Sequence, residues 1–403
     1  MRSTYYGWVV ASGCFCLTLL LGVTQSFGVF LDPLIREFGS SNTLTSGIYS
    51  TYWMFWSISV LWMGALSDRI SPRLVLGFSA FFVGLGIALS SFVSAVWQLY
   101  ITFGAITGFG AGGLWVPSSN MTMRWFKPGN SLNWAMSLVA LGVGIGTTFL
   151  APVEGSAITI LGWRTAFGIV ALVAWGIAAV SMALIKNPPV LIVDQGLKSA
   201  SSRSGSIDRI KNLFFISLLI SYFLGGGWVR QDVTVHIVSY LDTQKLAYGL
   251  AVFSLSIAGV GSISGRLLSG VLGEKVDDEI LLSSYFVLQA ISISILMISN
   301  NLLLVYFSSF LFGVAWGGAV PQLPIILRKR FGTFHFGVIL GILSIGTGVG
   351  SVLGPVFGGY AFDVTQSYFL PLLVDVVLSI FAAAILLAVC ARTTIGLPTK
   401  AMS

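Results

Sequence analysis

Apolar residues in this chain run in blocks of roughly 20, each closed by a short cluster of Gly, Pro, Ser or charged residues. Twelve blocks can be drawn, at 6–30, 43–66, 74–93, 97–123, 131–153 and 165–185, then at 212–235, 246–272, 280–299, 302–327, 335–360 and 367–391. A block of this length predicts a helix that crosses a bilayer, because a helix satisfies its own backbone donors and acceptors where no water can. The blocks fall into six and six. Between the sets the composition shifts to Pro, Ser, Gly and charge, which predicts a flexible linker. The pattern therefore predicts an all-α polytopic membrane protein with twelve transmembrane helices in two pseudo-symmetric bundles, 1–185 and 212–403, joined by a linker over 186–211.

Composition agrees with the pattern. Of 403 residues, 56% are hydrophobic and only 9% are charged, so no stretch is long and polar enough to form a separate soluble domain. The net charge of +7 would suggest an acidic partner or nucleic acid if the basic residues formed a patch. They do not. Arg69, Arg73, Arg124, Lys127, Lys275, Arg328, Lys329 and Arg330 fall in loops on the N-terminal side of the bilayer, whereas Arg36, Arg164, Arg230 and Lys245 fall on the other. This asymmetry is the positive-inside rule, and it predicts a multi-pass protein of the cell (inner) membrane with both termini cytoplasmic. The first block is too long for a signal peptide and is expected to stay as helix one. Cys14, Cys16 and Cys390 lack zinc or redox spacing and are expected to pack between helices. No Walker loop, dinucleotide fingerprint or HExxH is present, so the expectation is a non-enzyme without cofactor or metal, a monomer whose partners are the bilayer and a small solute.

The two halves repeat. Gly64-Ala-Leu-Ser-Asp68-Arg69-Ile returns as Gly270-Val-Leu-Gly-Glu274-Lys275-Val, and Gly108, Gly112, Gly113 and Phe126 return at nearly the same offset as Gly313, Gly317, Gly318 and Phe331. Parallel six-helix repeats predict a carrier with its site near the midplane, between the halves.

One residue stands out within the eighth block. Arg266 is a guanidinium, which cannot give up its proton, about 12 Å in from the loop at 1.5 Å per residue. At that depth it either snorkels to the interface or faces water, a counter-charge or an anionic ligand. Its mate in the first half is Val60, so the repeated scaffold does not itself require an arginine there.

GALSDRISPR, 64–73, resembles the signature loop of the major facilitator superfamily, which implies a gate role for Gly64, Asp68, Arg69 and Arg73, and for Gly270, Glu274 and Lys275 in the repeat. Ser71-Pro72 departs from that family's usual glycine and arginine. More narrowly, Tyr6-Gly7-Trp8 with Phe27-Gly28-Val29-Phe30, Arg124-Trp125-Phe126-Lys127, Gly162-Trp163-Arg164 and His236 to Leu241 followed by Gly265-Arg266 and Gly270 resemble the monocarboxylate and oxalate/formate transporter branch. The resemblance covers nearly the whole chain and implies that Arg266 binds a substrate carboxylate. A planar guanidinium suits that task because it grips a carboxylate with two parallel hydrogen bonds.

Other positions join Arg266 as expected substrate contacts: Trp115, Trp316, Gln25, Thr24, Ser262 and Tyr368. The resemblance also implies departures. Animal monocarboxylate transporters carry a lysine and an acid where Gln25 and Ser262 stand here, and the oxalate exchanger's lysine of helix eleven is missing. Neither Gln25 nor Ser262 titrates, which leaves Asp375 in the twelfth block as the proton-coupling candidate. Arg230, Asp232 and His236 are expected to form an extracellular charge cluster, and His335 to be solvated. The function expected is secondary transport of small monocarboxylates such as lactate or pyruvate by alternating access, as symport if protons take part. The alternatives are an anion exchanger or dicarboxylate carrier with Arg230 as a second cation, a carrier of drugs or other solutes, or a receptor without transport.

Overall fold

The blocks become helices, but longer ones than hydropathy marks. In the computed structural model, which describes residues 2–126, 130–187, 213–273, 275–331 and 336–395, these residues contain no strand and form twelve rods. The first six are α1 (Arg2–Gln25, resuming as Gly28–Phe38), α2 (Asn42–Arg69), α3 (Pro72–Ser90), α4 (Val96–Leu99, Tyr100–Thr107 and Gly108–Trp125), α5 (Asn130–Leu161) and α6 (Trp163–Leu184). The second six are α7 (Leu213–Ser221, Tyr222–Val229 and Arg230–Thr243), α8 (Tyr248–Leu272), α9 (Asp278–Met297), α10 (Leu302–Phe331), α11 (Phe336–Thr365) and α12 (Phe369–Ile395). Eleven are long and apolar enough to cross a membrane. The twelfth, α2, has the length at 28 residues but carries more polar positions.

Local chemistry sets several boundaries. Gly39 and Gly162 end α1 and separate α5 from α6 at φ of 59° and 81°, the left-handed region that glycine enters without strain. Pro72 opens α3, where its missing N–H is no loss. The 32 residues of α5 make a rod of about 48 Å, longer than a hydrocarbon core, so its last turns project beyond the apolar block that ends at residue 153.

The packing repeats as the sequence does. In the first six, α1 packs on α5, α2 on α4, and α3 on α4 and α6; in the second, α7 packs on α11, α8 on α10, and α9 on α10 and α12. Between the sets, contacts run through α2 with α11, α5 with α8, and α1 with α7. Large apolar side chains such as Trp62, Phe92, Leu172 and Leu303 stay exposed on the periphery, which fits a lipid-facing surface.

The sets are pinned together at one end. Arg36 donates to Asp242 at 2.9 Å, Ser239 to Asp32 at 2.7 Å, and Tyr248 to the Val29 carbonyl. At the same end Asp363 of α11 receives the backbone N–H groups of Asn42 and Thr43 at 2.9 and 2.8 Å. Asp363 thus caps the first turn of a helix in the other set, where the helix dipole favours an anion. Gly28 permits the α1–α7 approach, since a Cβ there would sit 2.6 Å from the Val235 carbonyl oxygen.

Candidate functional site

Three helices are distorted: α4 widens over Tyr100–Thr107, and the other two irregularities fall at matching repeat positions. α7 widens over Tyr222–Val229, and α1 breaks at Ser26 and Phe27, so the repeat mates Gln25 and Arg230 lie at the two irregularities. Wide turns and breaks of this sort recur at functional sites because they re-aim side chains out of the regular register. Here the register carries Arg230 inward, over the face of Trp316 on α10, with its guanidinium carbon 4.3 Å from the ring centroid. The expected extracellular cluster of Arg230, Asp232 and His236 is thereby corrected: Asp232 and His236 are 2% and 3% exposed, and Arg230 is part-buried. Sequence spacing assumed a regular helix ending near residue 235, whereas α7 continues to Thr243 and places these residues deep within it.

Arg266 reaches from α8 toward the first set. Its Nη1 lies 2.9 Å from where a Cβ on Gly144 of α5 would be, so that glycine leaves room for the guanidinium between the sets. Arg230 and Arg266 lie on α7 and α8, both in the second set. Trp316 also lines a narrow space with Thr147 of α5 and with Thr234, Leu255 and Ala258 of the second set.

Around this space the first set contributes hydrogen-bonding groups. The Tyr49 hydroxyl lies 3.3 Å from Gln25 Oε1 and 3.2 Å from Gln231 Oε1, and the Thr24 and Tyr52 hydroxyls meet at 2.7 Å. Among the described residues, Arg266 Nε and Nη1, Arg230 Nε, Gln231 Nε2 and Trp316 Nε1 are buried donors without an acceptor. Orphaned buried donors are costly, and five of them gathered between two helix sets match an anion bound from solution. No His, Cys, Asp or Glu grouping among the described residues suits a metal.

The expected substrate contacts do not all converge. Arg266, Trp316, Gln25 and Thr24 belong to this region. Ser262 is fully buried one turn before Arg266, its backbone carbonyl against Gly317 of α10 and its hydroxyl unpartnered. Trp115 is part-buried and packs against the main core cluster. Tyr368 lies elsewhere, its ring stacked on Phe362 and its hydroxyl 3.3 Å from Asn42 Oδ1, at the pinned end.

Of the signature loop, a Cβ on Gly64 would meet Val116 of α4 at 3.4 Å, an ordinary contact, and Arg73 donates to the Met182 carbonyl at 2.9 Å. Arg69 and Lys275 are exposed, and Gly270 faces open space instead of a neighbouring helix. The Asp68 side chain, Glu274 and His335 lie outside the described residues.

Several residues here escaped the sequence reading. Tyr49, Tyr52 and Gln231 carry no signal on their own, since aromatic and amide residues are ordinary helix fillers. Glu154 did carry one, a carboxylate beside an apolar block, but it falls one residue past the drawn end of the fifth block. It is 1% exposed within α5, and Ser26 at the break in α1 donates to it.

The family model described as Major Facilitator Superfamily matches residues 13–284 and 256–401. Monocarboxylate transporter 13 of Rattus norvegicus is 27% identical over 371 residues, covering 90% of this chain and 84% of the relative. Multidrug resistance protein MdtG of Dickeya zeae is 24% identical over 367 residues, covering 89% and 87%. Among solved structures, a mutant of the nucleoside transporter NupG superposes with a TM-score of 0.76 at 12% identity, covering 96% of this chain and 99% of that one. A bacterial homologue of the human lysosomal transporter Spinster, inward-facing and occupied, superposes with a TM-score of 0.73 at 14% identity, covering 95% and 96%.

Proposed function

The chain belongs to the Major Facilitator Superfamily, and on that premise we propose that it is a secondary transporter of small organic anions, first of all monocarboxylates such as lactate or pyruvate. The observation that carries the reading is the set of unpartnered donors around Arg266 and Arg230. A carboxylate fits there because it brings acceptors only, and a guanidinium presents two N–H groups in the plane it needs. Cationic drugs fit poorly, since among the described residues no carboxylate pairs with either arginine.

In this reading the two six-helix sets are the moving bodies, with residues 186–211 as the linker. The pinned end faces outward, both termini face the cytoplasm, and the membrane is the cell membrane, all resting on the distribution of Lys and Arg. An anion bound between the sets gives both guanidinium groups a counter-charge, and contacts from the first set then favour closure around it. The molecule works as a monomer, and protons are the proposed second partner.

Uptake into proteoliposomes tests the reading. Saturable accumulation of radiolabelled lactate or pyruvate is expected, and uptake of cationic drugs with none of either acid would sink it. Lactate binding to the purified protein without flux would instead identify a receptor on the same fold.

A second reading, exchange of dicarboxylates of the oxalate type, is favoured by Arg230 as a further cation. Counterflow separates the two, since preloaded oxalate should speed entry of external label only in an exchanger. Under either reading, Arg230→Gln, which installs the residue found at its repeat mate, is expected to weaken anion affinity about tenfold. Unchanged affinity in calorimetry would remove Arg230 from the site.

A further inference from the structure

A second cluster of ionisable groups lies in α7, α11 and α12, apart from the two arginines. Asp232 of α7 and Asp375 of α12 are 2% and 0% exposed, and they line one small cavity together with His236 and Tyr368. All four carboxyl oxygens lack a donor. Two carboxylates on one small cavity inside a membrane-spanning bundle would combine like-charge repulsion with the loss of hydration. One proton held between them removes one charge and supplies the missing donor, as in other paired buried carboxyls.

Among the described residues, the surroundings provide no counter-charge to the pair. His236, one turn on, has Nε2 3.0 Å from the Pro355 carbonyl, which makes that nitrogen its N–H, and 3.5 Å from Asp232 Oδ1. Its Nδ1 lies 3.5 Å from the Tyr368 hydroxyl, so a neutral ring accounts for its neighbours. Tyr240 donates to the Leu296 carbonyl of α9. From α11, Asp363 is taken up by Asn42 and Thr43, and from α1, Asp32 is held by Ser239. Arg230, two residues before Asp232, points to Trp316. Gly358 of α11 is packed directly on Asp232 and His236, which seals the pair from that side.

We propose that Asp232 and Asp375 share one proton and form the proton-binding site of this protein. A metal cation is the poorer occupant, because no grouping of three or more suitable side chains is found among the described residues. The pair lies within the second set, between the arginine region and the pinned end. Asp232 and Arg230 both belong to the Arg230–Thr243 segment of α7, just past its wide turns, and Tyr368 joins His236 to Asn42 at the pinned end. Release of that end would admit water to the pair and let the proton leave, while a shift of α7 on anion binding would reach it from within. This coupling rests on the transport reading above, whereas the proton site itself does not.

The test is infrared spectroscopy of the purified full-length protein in lipid vesicles at neutral pH. The wild type is expected to show the C=O stretch of a protonated carboxylic acid that shifts in heavy water. Asp375→Asn and Asp232→Asn should each remove the same component, and Glu154→Gln should leave it in place. Absence of a carboxylic-acid band in the wild type would overturn the site without recourse to any variant. Persistence of the component in both Asp variants, or its loss when sodium is added to sodium-free protein, would do so too. For coupling, Asp375→Asn is expected to lose accumulation of radiolabelled lactate driven by a pH gradient while keeping lactate counterflow. Retained accumulation would overturn the coupling, and no lactate flux in the wild type, with the band present, would count against the substrate and not the proton site.

Discussion

Arg266→Ala is expected to abolish measurable carboxylate binding, and Arg266→Lys to do nearly as badly. Arg266 lies between the two sets, across from Gly144, with Nε and Nη1 unpartnered. Removing one partner of a charge-assisted pair in a partly dehydrated site costs about 2–5 kcal/mol, or roughly 30- to 4,000-fold in dissociation constant. A lysine keeps the charge but not the geometry, being a point charge on a flexible stem. If Arg266 only snorkelled toward the interface, lysine would serve as well and alanine would change expression more than affinity. Calorimetry with lactate on folded Arg266→Lys separates the two, and near wild-type binding would overturn the assignment.

The second large effect concerns the pinned end. Asp363 receives Asn42 N at 2.9 Å, Asn42 Nδ2 at 3.3 Å, Thr43 N at 2.8 Å and Thr43 Oγ1 at 2.5 Å, all from the opposite set. Asp363→Ala removes the acceptor for the first turn of α2 only when the sets are together, because the parted helix end can turn to water. A lost cap and lost charged hydrogen bonds together shift the closed-to-open equilibrium by about 2–4 kcal/mol, or roughly 30- to 1,000-fold in population. Ser46 of α2 sits beneath Gly359 of α11 and makes a reporter. Labelling of a Ser46→Cys variant by a membrane-impermeant maleimide should rise sharply when Asp363→Ala is added. An unchanged labelling rate would show that Asp363 does not hold this end closed.

The fold was legible because it rests on one-dimensional quantities. A bilayer demands blocks of about 20 apolar residues, and a duplicated scaffold leaves GALSDRI and GVLGEKV in register, so helix number and pairing come from counting. Arg266 was legible for the same reason, since a charge inside an apolar block is conspicuous wherever it points. Asp375 was conspicuous in the same way, but its partner was not, because Asp232 lies where α7 reads as an ending block. Glu154 shows the limit of the counting, since α5 outlasts its apolar stretch and carries the carboxylate with it.

The sequence by itself determined that this chain spans a membrane, how often, and which half mirrors which, because hydration cost and duplication are written residue by residue. Only the tertiary structure decided which polar groups meet. The wide turns of Tyr222–Val229 change the register of α7 beyond them, where Arg230 lies over Trp316 and Asp232 shares a small cavity with Asp375. Helix register beyond a distortion depends on packing against α10, α11 and α12, contacts between residues far apart in the chain, and no local pattern encodes them.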